Sequence, residues 1–169
     1  MSKKNIAPID ELHNKAMALA DEAYYARKKG EIDSLQTLYY QAFEYEKAAA
    51  MLLVNDYEAE PSRSVLFRSA ASLLLNLPEI SEADFRAAEQ MIAFGLSGNP
   101  PAEIADELRD VWMQIKQKYV SIHQSFQGQA NTAFDKIKQL FSAADSSVES
   151  KTWLINELKK VNADLEIKI

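Results

Sequence analysis

The chain has 169 residues, 47% of them hydrophobic, which suits one domain, or a domain with a small appendage, built around a real core. It has four Gly and five Pro, which favours helix over a turn-rich β-sandwich, and no Cys, which excludes disulfides and thiolate metal sites. A net charge of −6 and a pI near 5.0 oppose an extended phosphate-binding surface, so no nucleic-acid partner is expected. The longest apolar run, AAAMLLV at 48–54, is too short to span a bilayer, and no apolar segment follows the basic pair of MSKKNIAPID. No membrane partner is expected, and the reading is of a cytoplasmic protein.

Taken in order, the chain predicts a first helix over about Ile9 to Lys29, ending at Gly30. The cations of ARKKG at 26–30 would complement the negative end of its dipole. Asp33 with Gln36 has capping-box spacing and should start a long second helix, with Leu35, Leu38, Tyr39, Ala42, Ala49 and Leu53 on one face. NDYEAEP at 55–61 leads to a third helix over Ser62 to Leu77, stopped by Pro78. Ser81 caps a fourth, lined inwardly by Phe85, Ala88, Ile92 and Leu96 and ended by SGNPP. Pro101 suits the first turn of a fifth, which carries Ile104, Leu108, Val111, Ile115 and Ile122. QGQANT at 127–132 is expected to break this helix, with Gly128 as a hinge, and SAADSS at 142–147 to separate two closing helices. The last of these carries Trp153, Leu154, Leu158 and Val161; the terminal LEIKI fits either a frayed end or a strand. The expectation is an all-α domain over 1–126 with a helical appendage over 127–169.

The order Leu35, Tyr39, Ala42, Phe43 is echoed in spacing by Ala88, Ile92, Gly95, Leu96, and AEQMIAFGLSGNP places a proline after its helix. These segments resemble the second helix of tetratricopeptide (TPR) units, although the echoes lie much further apart than the usual period of about 34 residues. EPSRSVLFRSAASL followed by GLSGNPPAEIADELRD is similar to a group of uncharacterised bacterial TPR-like proteins, over about residues 10–118. The resemblance implies antiparallel helix pairs stacked as a short right-handed array, with one or two added C-terminal helices. It implies a non-enzymatic role in holding a protein or peptide partner, and it supplies no catalytic residue.

Catalytic and metal chemistry is sparse. His13 and His123 are the only histidines, and only Asp10 precedes His13 at a spacing like that of a di-iron Glu-x-x-His motif, so no metal and no cofactor are expected. GLSG at 95–98 imitates a nucleophile elbow, but Asn99 stands where its second glycine belongs. LYYQAFEYEKAAAMLL resembles a helix of the HEPN family of small helical ribonucleases, which implies an alternative as an RNA-cleaving enzyme or toxin-system component. That family pairs an Arg with a following His; here Lys118 before His123 is the nearest arrangement, and lysine lacks the guanidinium fork.

The candidate partner-binding residues are Tyr25, Tyr40 and Arg68. Tyrosines at 24, 25, 39, 40, 45 and 57 offer aromatic area with a hydrogen bond, and Tyr39 reads as core. Arg68 falls at the edge of the apolar sector of the third helix. Arg63 falls inside that sector, in the first turn, where a cation opposes the dipole and needs an anion. Glu46 lies on the apolar face of the second helix, about three turns after Leu35. The expectation is a buried Glu46–Arg63 ion pair that fixes helix register. The stripe on the fifth helix fits either ordinary packing on the fourth or self-association as a homodimer, through that helix or the two helices after QGQANT.

Overall fold

The computed structural model describes residues 6–143 and 148–166, with side chains described except at 6, 123, 126, 129–130, 143, 148, 150–151 and 161–166. Its regular structure is all helical: α1 (Ile6–Lys29), α2 (Ile32–Met51), α3 (Ser62–Leu75), α4 (Glu82–Leu96), α5 (Ala102–Ala143) and α6 (Val148–Glu166), with a single 3₁₀ turn at Tyr57–Ala59. No described helix is long and apolar enough to cross a membrane. The chain divides into two compact units, residues 1–119 and 120–169.

In the first unit, consecutive helices pack in order, α1 on α2, α2 on α3 and α3 on α4. The connections differ in length, two residues between α1 and α2 and a longer segment with the 3₁₀ turn between α2 and α3. Gly30 has φ +78, so it ends α1 in the left-handed conformation that residues with a Cβ resist. The core follows the helical period: Leu35, Tyr39, Ala42, Phe43 and Leu53 from α2 and the turn after it, and Leu66, Phe67, Ala70, Ala71 and Leu74 from α3. Phe85, Ala88, Met91 and Ile92 of α4 close over them. Leu108, Val111 and Ile115 of α5 are buried as well. Gly95 allows α5 to come close, since a Cβ there would sit 2.8 Å from Leu108 Cδ2, and the Phe85 and Tyr119 rings meet edge to face at 4.8 Å. Burying these apolar faces supplies most of the drive to fold, at about 25 cal/mol per Å².

The helix ends show where local chemistry does and does not decide. Ser81 forms a full capping box with Asp84, its Oγ accepting from Asp84 N at 3.2 Å while Ser81 N donates to Asp84 Oδ2 at 2.8 Å. The capping box expected from Asp33 and Gln36 is absent: α2 begins at Ile32 with no side-chain cap. Gln36 is drawn to the α3–α4 connection instead, donating to Glu79 O at 2.9 Å and accepting from Glu79 N at 3.3 Å. Helix α3 stops at Leu75, two residues short of expectation. Its end is clasped by cations from two other helices: Arg27 donates to Asn76 O at 2.6 Å, and Lys118 to Leu75 O and Leu77 O at 2.8 and 3.1 Å.

The expected break at QGQANT is corrected, because α5 runs unbroken from Ala102 to Ala143. A lone glycine costs a helix only about 1 kcal/mol, and without proline nothing removes a backbone donor. Thr132 Oγ also returns a hydrogen bond to Gly128 O at 2.9 Å. Residues 144–147 of SAADSS, residues 167–169 of LEIKI and the side chain of Val161 lie outside the described residues.

Candidate functional site

The expected Glu46–Arg63 ion pair is corrected. Both side chains are fully buried, but each has other partners. In the first turn of α3, Arg63 donates from Nε and Nη2 to Val54 O at 3.2 and 3.0 Å, and from Nη2 to Ser97 Oγ at 3.2 Å. Its Nη1 reaches Glu60 Oε1 at 3.4 Å, and its guanidinium lies 4.9 Å from the Tyr57 ring centroid and 5.3 Å from that of Phe67. Glu60 Oε2 also accepts from Ser64 N at 3.2 Å, placing an anion at the positive end of α3 and answering the dipole conflict that Arg63 creates. Gly98 makes room for this cluster, since a Cβ there would lie 2.3 Å from Glu60 Oε1 and 2.6 Å from Arg63 Nη1. Arg63 therefore ties the end of α2, the start of α3 and the end of α4 together.

Glu46 faces α1 rather than α3. His13 Nδ1 lies 2.9 Å from Glu46 Oε2 and 3.1 Å from Oε1, within hydrogen-bonding distance of both carboxyl oxygens. The sequence held a sign of this pairing, for His13 shares the helical spacing of the buried Ile9 and Ala16. The Glu60–Arg63 contact was legible too, from an i, i+3 spacing across the start of α3. The pairing with Glu46 was missed because Glu46 was assigned to the α3 side of α2.

The three partner-binding candidates are not brought together. Arg68, expected at an open edge, is ion-paired with Glu107 of α5, because α5 returns over α3 and brings a carboxylate to it. Tyr40 is exposed and its ring lies 6.1 Å from that of Phe43. Tyr25 is 61% exposed and lines a cleft of about 460 Å³ where α1 ends and α2 begins. Tyr25, Ala26 and Leu38 give that cleft an apolar lining, while Glu22, Lys29 and Glu31 set charges of both signs around it, with Ser34 completing the wall. Tyr40 and Arg68 do not line it. Tyr24 stands edge to face with Tyr25 at 5.8 Å, with Lys28 Nζ 4.4 Å from its ring centroid. Tyr39 is core, as its spacing suggested, with Arg27 over its ring at 5.1 Å.

Among the described residues, no group of three or more His, Cys, Asp or Glu side chains gathers where a metal ion could be held. The side chain of His123 lies outside the described residues. No protein-family model, curated protein or solved structure matches this chain.

Proposed function

We propose that this protein is a non-enzymatic interaction module, its helices arranged as a short TPR-like array, that holds a peptide or partner helix in the α1–α2 cleft. The observation that carries the reading is Tyr25: a large aromatic, mostly exposed, on the wall of a cleft that pairs apolar lining with charges of both signs. Such a surface rewards an occupant with one apolar anchor and flanking polar groups, and aromatic anchors often dominate interface energetics. The buried charges support a structural use, since Arg63 and Glu46 are engaged inside the fold and have no face toward a ligand.

Panning a peptide library against the full chain tests this. A selected peptide should lose about tenfold or more in affinity on Tyr25→Ala, equivalent to about 1.4 kcal/mol. The melting temperature should hold, because so exposed a ring contributes little to the core. Tyr45→Ala, an exposed tyrosine outside the cleft, should bind like the parent. Equal binding by the Tyr25→Ala variant, or RNA cleavage by the purified chain, would overturn the reading.

A further inference from the structure

In residues 120–169 no described side chain is buried. Yet this unit carries Val120 at 48% exposure, Phe134 at 67% and Phe141 at 58% on α5, with Trp153 and Ile155 exposed on α6. The described apolar side chains of this unit therefore lack the packing from which most helical stability comes.

The α5 side chains are ordered along the helix. Val120, Gln127, Phe134 and Phe141 recur at intervals of one heptad, with the half-exposed Ile137 and Leu140 beside the last two. A strict heptad repeat is the pattern of a coiled-coil seam, where the helix supercoils slightly to keep the stripe facing its partner. Within VSIHQSFQGQANTAFDKIKQLFSA the ionised residues are Asp135, Lys136 and Lys138, and the stripe is otherwise bordered by Ser, Gln, Asn and Thr. A strongly charged partner would find no complement there. An identical copy would meet little like-charge repulsion, although the chain as a whole carries −6.

We infer that this face of α5 is the seam of a parallel, in-register homodimer. Gln127 decides the register. A polar side chain at a core position penalises any pairing that buries it against an apolar group, and in register Gln127 meets Gln127, an amide whose donor and acceptor complement its own. An antiparallel seam aligned over the whole stripe would set Gln127 against Phe134, and one that kept Gln127 opposite itself would leave Phe141 outside the seam. The dimer is independent of the α1–α2 cleft and stands or falls apart from it.

The chain contains no cysteine, so introduced thiols report without background. The full chain should sediment at twice its 19.0 kDa at high micromolar concentration, and Phe134→Asp should raise the dimer dissociation constant about a hundredfold by burying a charge at the seam. Retained helicity and melting of the Phe134→Asp variant shows that it still folds. Under mild oxidation, Val120→Cys and Phe141→Cys should each cross-link to its own copy, while Gln139→Cys, on the outer face, should not. A 19.0 kDa monomer at high micromolar concentration overturns the inference, whether or not that monomer binds another protein or a lipid vesicle through Phe134. Cross-linking only when the Val120→Cys and Phe141→Cys chains are mixed overturns the in-register arrangement.

Discussion

Residues 1–119 and 120–169 have the same local grammar and opposite outcomes. Both are helical with apolar side chains at helical spacing, yet the first unit seals a guanidinium and a carboxylate inside its core, whereas the second has no buried side chain among those described. The difference lies in what each apolar face meets. In the first unit the faces of α1 to α4 meet one another in chain order, so even charged groups can be enclosed once backbone carbonyls and opposite charges satisfy them. The second unit's apolar stripe has no such cover among its described residues. Substitutions in the first unit should therefore register as lost folding stability, and those in the second chiefly as lost association.

The hardest test of that contrast is Arg63→Met. It removes the guanidinium from the junction of α2, α3 and α4, leaving Val54 O without its side-chain donors and the Glu60 carboxylate with Ser64 N but no cation, so about 3–5 kcal/mol should be lost by chemical denaturation. A loss below about 1 kcal/mol would mean that the cluster is hydrated and not part of the core. Next comes His13→Ala, which strands the buried Glu46 carboxylate and should cost about 3 kcal/mol. Glu46→Leu should cost much less, because the His13 side chain is 39% exposed and can turn to water. Equal losses would show that the interior holds the histidine as firmly as it holds the carboxylate.

A matched pair of glycines then sets the units directly against each other. Gly98→Ala drives a methyl group into the Glu60–Arg63 pair and should destabilise by about 1–3 kcal/mol. Gly128→Ala meets nothing within 4 Å, lies inside α5, and should stabilise by about 0.5–1 kcal/mol through helix propensity alone. Thermal melts of the two variants should shift in opposite directions.

The smallest effect concerns Lys118. Partial burial, and secondarily the Arg27 charge, hold its ammonium below the ordinary value of 10.5. The unfolded chain therefore binds that proton more readily, so Lys118 lowers stability slightly at neutral pH, and the deficit is relieved as pH rises through the folded value toward 10.5. Titrating the ammonium by NMR should place it below 10.5, and Arg27→Gln should move it back upward. No movement would mean that desolvation acts alone.

Much of the fold was legible as periodicity. Most inward residues of α2, α3 and α4 are the ones whose spacing selected them, although Leu38 and Leu96 are only partly buried and the buried Met91 was not selected; the stop at Gly30 and the cap at Ser81 followed from single residues and their neighbours. Burial of Arg63 and Glu46 was legible as well, because each charge interrupts an apolar face. The candidate site was less so: of Tyr25, Tyr40 and Arg68, only Tyr25 lines the cleft.

What the sequence determined by itself was the set of choices that stay within about one helical turn: helix against strand, the cap at Ser81, the left-handed glycine, and which face of most helices is apolar. What only the tertiary structure decided was which faces meet. Periodicity gives the angle of a residue around its own helix but not the neighbour at that angle. Glu46 therefore turned to His13 on α1 and not to Arg63 on α3, Gln36 left its own helix start for Glu79, and Arg68 found Glu107. Each of these side chains can reach several partners, and the choice among them belongs to the packing of whole helices, whose apolar burial outweighs any single hydrogen bond or ion pair.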